Sequence, residues 1–369
     1  MSISRRTFVV AAASLAIAPS FVRRAGAAAP TAEDRDKAVA RGIEYLRNKG
    51  QAKDGSFTAV AGPGITALIA TALLRSGITA EDPIVAKGLA YLKTFVQPDG
   101  GIYKVGSHLG NYETCLAIVC FAEANQDKQY DELIKKAEAY IKSLQFGGEP
   151  SDLNHGGVSY GAKGRPDLSN TSFFMEALQA AGSSKDDEAV KRAMVFISRC
   201  QNLETEHNTT EFSAKNPDGG FIYSPAGGGN SPAGKTENGG LRSYASMTYA
   251  GLKSMVFAGL KADDPRVVAA HKWIKENYTL DANPGLGDAG LYYYYMLFAR
   301  ALDALGQETL TDSKGVAHNW RDDLTAALIA RQGADGSWTN KNEKWFEGDP
   351  NLATGFALLA LSYCGPKKS

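Results

Sequence analysis

One stretch, Tyr91 to Phe121, constrains the whole chain because it is rewritten along its length. It reads YLKTFVQPDGGIYKVGSHLGNYETCLAIVCF: a helix end, a Gln, a Pro-Asp-Gly-Gly turn, an aromatic, a short polar loop and an apolar helix. The pattern returns at Tyr45 (YLRNKGQAKDGSF, then GITALIATALL), at Tyr140 (YIKSLQ, HGGVSY, NTSFFMEALQAAG) and at Phe196 (FISRCQ, PDGGFIY, YASMTYAGLKSM). A fifth copy begins at Trp273 (WIKENY, then LYYYYMLFARAL), and the sixth runs through LIARQGADGSWTN to NLATGFALLALSY. Internal repetition of this length means an array of like units in which each repeat buries its apolar face on the next.

Each unit pairs two kinds of helix. From Asp34 to Asn48 the apolar Ala38, Ile43, Tyr45 and Leu46 oppose Lys37, Arg41, Glu44 and Arg47, one stripe on a charged helix. From Ile65 to Leu74 there is no polar face, so that helix is buried on most sides. The same alternation predicts outer helices over 83–95, 130–144 and 187–200, then from Pro265 and from about Asp322. The inner partners fall over 112–124, 169–181, 241–259, 290–305 and 352–363. An open solenoid would need a polar terminal cap, yet the last inner helix, GFALLALSY, is as apolar as the middle ones. Closure of the last repeat onto the first buries it. The expected fold is therefore all-α, an α/α six-barrel with apolar helices inside and amphipathic helices outside. One domain over 30–369 is expected, with a Gly-rich insertion at 202–240 that serves as a lid or extends into solvent.

Residues 1–29 read as an export signal. Ser4-Arg5-Arg6-Thr7-Phe8 precedes the apolar Ala11 to Ala18 and a small-residue site near Ala25-Gly26-Ala27, the pattern of bacterial twin-arginine export. A periplasmic or extracellular location is expected from it. Lys plus Arg and Asp plus Glu number 40 each, so no basic footprint favours nucleic acid or an anionic membrane. The four cysteines, none in C-x-x-C spacing, read as small buried hydrophobes. Gly229 to Thr236 satisfies the phosphate-loop pattern, but it lies in Gly-rich coil with no helix start after it, so nucleotide binding is not expected.

The turns QAKDGSF (Gln51 to Phe57), QPDGGIY (Gln97 to Tyr103) and QGADGSW (Gln332 to Trp338), with PDGGFIY (Pro217 to Tyr223) as a displaced copy, resemble the repeats of squalene cyclases and protein prenyltransferase beta subunits. The resemblance covers nearly all the chain after the signal and implies a toroid whose central cavity holds isoprenoid chains. It does not extend to the chemistry. No Asp-x-Asp-Asp occurs; Asp186-Asp187, Asp263-Asp264 and Asp322-Asp323 are pairs at helix starts. Glu113-x-Cys115 is only distantly similar to the prenyltransferase zinc ligands, and the Cys-Gly-Glu-Gln of thioester rings is absent. No metal or cofactor is expected.

Aligning the inner helices on Thr66, Thr114, Thr171, Ser246 and Thr354 gathers polar residues at one mouth of the ring. The candidate acids and base there are Asp167, Glu113, Asp288, Asp349 and His108, and the candidate ligand contacts are Asn111, Asn170, Arg242 and Tyr244. Tyr249 and Tyr292, with Phe173-Phe174, Phe257 and the other tyrosines of 292–295, supply aromatics for an apolar ligand. Carboxylates at helix starts also serve as plain caps, and aromatics in buried helices as plain core. Three functions compete on this reading: binding or modification of an apolar, isoprenoid-like molecule, a non-catalytic interaction scaffold, and a polysaccharide-active ring with two facing carboxylates.

Overall fold

The computed structural model describes residues 28–365, so all but the last two residues of the expected export signal, 1–29, lie outside the described residues. The helices are α1 (Ala32–Tyr45), α2 (Gly64–Arg75), α3 (Pro83–Lys93), α4 (Gly110–Glu123), α5 (Asp131–Ser143), α6 (Leu168–Ala180) and α7 (Glu188–Arg199). A five-residue α8 (Glu211–Lys215) follows, then α9 (Ala245–Phe257), α10 (Pro265–Glu276), α11 (Leu291–Ala304), α12 (Trp320–Arg331) and α13 (Pro350–Ser362). All the outer helices but α5 start on side-chain caps: Thr31 and Asp34 form a reciprocal pair at α1, and Asp82, Asp187, Asp264 and Asn319 cap α3, α7, α10 and α12.

The inner helices close a ring. Helix α2 packs on α4, then α6, α9, α11 and α13 follow in turn, and α13 returns to α2. Outer helices α3, α5, α7, α10, α12 and α1 lie against α2, α4, α6, α9, α11 and α13 respectively. Contact between α13 and α2 excludes the open solenoid.

The Gln and Gly of the repeated turn stitch neighbouring units together. The side-chain amide of Gln51 donates to the carbonyls of Gly55, in its own turn, and of Ile84, at the start of the next outer helix. Gln145 does the same to Gly156 and Ala189, and Gln201 to Gly219 and Arg266. Gln332 closes the ring, donating to Gly336 and, at 2.8 Å, to Ala38 of the first repeat. Gly336 adopts φ +91° and lies against the Arg41 carbonyl, where a Cβ would collide; Gly55 lies the same way against Lys87. Gln97 departs from the pattern, bonding only the carbonyls of Phe95 and Tyr103.

An inner-helix threonine then receives the end of each turn. The N–H of Phe57, Ile102, Val158, Phe221 and Trp338 donates to Oγ1 of Thr66, Thr114, Thr171, Thr248 and Thr354. In the fourth repeat the register residue is thus Thr248, not Ser246, and α9 begins at Ala245 rather than near Leu241.

Two further features depart from the sequence reading. The insertion at 202–240 is neither a detached flap nor a solvent loop: Asn202, Asn208, Phe212, Phe221 and Ser224 are buried, and Asn202 bonds the Leu241 carbonyl and Ser243. A small antiparallel pair, β1 (Thr309–Thr311) and β2 (Ala317–Asn319), joins α11 to α12. All four cysteines are free and buried. Among the described residues no helix is long and apolar enough to cross a membrane.

Candidate functional site

The six inner helices enclose a cavity of about 600 Å³ that opens at their amino-terminal end. Its wall is a run of aromatic rings. Tyr160 meets Tyr112, Tyr112 meets Phe173 edge-on at 5.3 Å between centroids, Phe173 meets Tyr293, and Tyr293 meets Phe356 at 5.7 Å. The rings come from four inner helices and the loop before α6, so the wall exists only because the ring is closed. Tyr223 and Tyr244 face the cavity beside the insertion, with Asn230 and Pro232 of the insertion itself.

Hydroxyls are the commonest polar groups in this largely apolar lining, from Tyr112, Tyr160, Tyr244, Tyr293, Ser169 and Ser246 among others. Tyr293 Oη and Ser169 Oγ share a hydrogen bond of 2.8 Å. Asp167, 2 % exposed, lies behind the wall as the cap of α6: Asn170 donates its backbone N–H at 2.9 Å and its side-chain amide at 2.8 Å. The Tyr223 hydroxyl is close enough to favour the Asp167 carboxylate and to interact with Tyr160. Burial pushes the Asp167 carboxyl up to about 6 against these stabilising bonds. The carboxyl therefore titrates next to a cavity that it reaches through tyrosine hydroxyls.

A strap from Asn340 to Asp349 crosses the mouth. Trp345 and Phe346 sit on it at φ +56° and +68°, a left-handed conformation unfavourable for aromatic residues, and are 46 % and 54 % exposed. Val60, across the opening, is 80 % exposed. Glu347 anchors the strap: its buried carboxylate accepts the N–H groups of Tyr292 and Tyr293, the latter at 2.7 Å, and the Asn340 amide. It caps α11, whose own N-cap residue, Gly290, has no side chain for the purpose. Burial raises the Glu347 carboxyl, with those donors opposing the shift.

The opposite end of the ring is closed by charge. Each inner helix gives one side chain: Arg75, Glu123, Glu176, Lys253, Arg300 and Tyr363. Glu176 pairs with Arg300 at 2.6 Å and Lys253 at 3.1 Å, and Arg75 pairs with Glu123 at 2.6 Å. Burial alone would raise Glu176, but Arg300, Lys253 and Arg75 together hold it down to about 2. Between this floor and Phe173 only a void of about 10 Å³ remains, space for one water.

Of the residues singled out in the sequence, Tyr244 lines the cavity, and Asp167 with Asn170 stands directly behind its wall. Phe173 and Tyr293, singled out as inner-helix aromatics, form part of the wall; the structure does not bring the others there. His108 and Arg242 are exposed, and the Arg242 guanidinium bonds the Lys235 carbonyl. Asp288 is exposed on a loop where only its carbonyl is engaged, by Asn340. Asp349 caps α13 and accepts the Thr58 hydroxyl. Asn111 bonds the Ser159 carbonyl. Glu113 is buried against the Lys104 N–H, and burial pushes its carboxyl up to about 7. Tyr249 packs on Tyr294 and Phe298, and Tyr292 points to the Thr339 carbonyl, both as core.

A hidden register carries the missed cavity residues. Tyr112, Ser169, Ser246 and Leu352 each stand two positions before the register threonine of their helix, and all four face the cavity. Aligning repeat four on Ser246 turns that helix by roughly 200°. This is why Arg242 was drawn toward the site and Ser246 was not. Glu347 carries no such signal, because its role depends on a strap whose path no local pattern encodes.

With this geometry in view, residues 59–223 match the squalene-hopene cyclase C-terminal domain family. The matched segment and the closed ring are similar to those of the squalene cyclase and prenyltransferase toroids. Among solved structures, the apo type II terpene cyclase MstE from Scytonema superposes with a TM-score of 0.52 at 15 % identity, over 90 % of this chain and 98 % of that one. A D-mannose isomerase gives 0.57 at 11 % identity over 90 % and 97 %. A possible member of the GH105 family from Salmonella enterica serovar Paratyphi A gives 0.55 at 10 % over 97 % and 98 %. Likeness at these identities establishes the fold alone. No curated protein matches the sequence.

Proposed function

We propose that this chain is an exported protein that binds an apolar, isoprenoid-sized molecule in its central cavity. The observation that carries the reading is the cavity itself: about 600 Å³, walled by aromatic rings and bordered at its mouth by Val60, Trp345 and Phe346. Apolar concavities of this size with a few placed polar groups are ligand sites. A scaffold that had lost its site would be free to fill its axis, as this ring does only near the charged floor. A polysaccharide-active site needs two carboxylates facing one groove. Here Glu347 is the only carboxylate among the described lining residues, and it is engaged as a helix cap. Asp167 is the group best placed for proton exchange with a bound molecule, through Tyr223. The twin-arginine pattern at Arg5-Arg6 supports export.

Native mass spectrometry with lipid extraction on protein recovered from its exporting host tests the reading. The expected result is a co-purifying apolar molecule released on denaturation. Protein that is empty as isolated and takes up no added isoprenoid overturns it.

A further inference from the structure

Resting on that reading of the cavity, we infer that its ligand is electrically neutral and carries a hydroxyl or carbonyl end, held by the paired hydroxyls of Tyr293 and Ser169. A diphosphate ester is excluded.

The hydroxyl pair supplies the recognition. Two hydroxyls hold two hydrogens between them, and the 2.8 Å bond uses one. One hydrogen and several lone pairs remain on the pair, which sits against the Phe173 and Phe356 rings in a lining that also carries the hydroxyls of Tyr112, Tyr160, Tyr244 and Ser246; a buried polar group without a partner is costly. A neutral oxygen inserted beside the pair accepts that hydrogen, and an alcohol can also donate in return.

Charge supplies the exclusion. Helix amino termini ordinarily favour anions, and six inner helices point theirs at this end of the ring. Three are already occupied by carboxylates: Asp167 at α6, Glu347 at α11 and Asp349 at α13. At α4 the N–H groups of Asn111 and Tyr112 bond the Tyr160 carbonyl, and at α9 that of Ala245 bonds the Pro284 carbonyl. Among the described lining residues the only cation is Lys344, whose ammonium sits 4.6 Å from the Trp345 ring centroid. With five of the six amino termini already engaged, a diphosphate entering the mouth would find one ammonium, Lys344, beside the one lining carboxylate, Glu347, and no cluster of cations to hold it. Arg242, a ligand contact expected from the sequence, and His108, expected as an acid or base, are not among the lining residues.

Size sets the scale. At about 600 Å³ the cavity falls within the roughly 300–1,000 Å³ of small-ligand sites, which suits a diterpenoid alcohol or ketone as the probe.

The test is titration of the exported chain with geranylgeraniol, geranylgeranyl diphosphate and the oxygen-free hydrocarbon phytane, read by Trp345 emission and by calorimetry. The alcohol is expected to bind at least tenfold more tightly than the diphosphate. Its advantage over phytane should be about fivefold, the worth of one hydrogen bond. Tyr293→Phe and Ser169→Ala should each reduce that advantage while leaving phytane affinity unchanged. A diphosphate that binds as well as the alcohol overturns the inference and leaves the apolar cavity reading standing. Retention of the alcohol's advantage in both variants overturns the assignment of the hydroxyl pair. Failure of all three compounds to bind overturns the cavity reading and this inference together.

Discussion

Arg300 Nη1 lies 2.6 Å from Glu176 Oε2, joining α11 to α6 across the closed end of the ring, with Lys253 of α9 on the same carboxylate oxygen. Both side chains of the Arg300–Glu176 pair are nearly buried. Breaking such a pair by removing one partner leaves charge without compensation in a low-dielectric interior. Glu176→Gln, which strands both Arg300 and Lys253, should therefore destabilise the chain by about 3–5 kcal/mol in urea unfolding. Replacing Glu176 by Leu and Arg300 by Met together should cost less than the single change. A loss under about 1 kcal/mol for Glu176→Gln would show that water or rearrangement satisfies the floor.

Glu113 should make stability depend on pH in an unusual direction. Its folded value of about 7 stands above the ordinary 4.5, so the folded state keeps the proton that the unfolded state has already released. Ionisation thus costs stability, fully above pH 7 and not at all below about 4.5. Glu113→Gln keeps the acceptor for the Lys104 N–H and should be more stable than the parent at pH 8 by on the order of 2–3 kcal/mol. The two should be equal near pH 4. Thermal melts across that range check both the gain and its disappearance.

Ring closure can be probed with two glycines of equal backbone conformation. Gly77 and Gly336 both have φ +91°, but nothing lies within 4 Å of a Cβ at Gly77, whereas one at Gly336 meets the Arg41 carbonyl. Gly77→Ala should cost about 1 kcal/mol for backbone conformation alone. Gly336→Ala should cost at least twice that by chemical denaturation. Equal losses would show that the seam between the last and first repeats is soft.

Trp345 offers a built-in reporter. Trp273, Trp320 and Trp338 are buried, which leaves Trp345 as the exposed one of the four tryptophans. Filling the cavity should shift its emission to the blue, and Trp345→Phe should abolish the change without abolishing binding. A signal that survives Trp345→Phe would mean that the strap does not report on the cavity.

The six-fold repeat was legible because its determinants are local. The Gln and Gly of the turn and the apolar face of the inner helix recur at fixed offsets, and each offset corresponds to a bond such as Gln51 to Ile84 or Phe57 to Thr66. The site was legible only where it shares that periodicity. Asp167 and Tyr244 stood out as residues at a helix start, and Phe173 as an aromatic on an inner helix. Asp288 and Asp349 stood out for the same reason, yet one faces solvent and the other is fully used as a cap. The spacing that marks a cap cannot say which way the loop before it runs. Glu347 and Trp345 belong to such a loop, and their positions depend on contacts with α11 that are remote in sequence.

The bond from Gln332 to Ala38 spans 294 positions, and it has a consequence for synthesis. The flank of the first hairpin cannot be covered until α13 and the turn before it have been made, because it is reserved for them. A nascent chain therefore carries an unsealed apolar edge until some 294 further residues have been added, and its sealing is a long-range event. Truncation ahead of α13 would leave that edge permanently open, so the shortened chain should be held by chaperones or degraded rather than persist as a smaller arc.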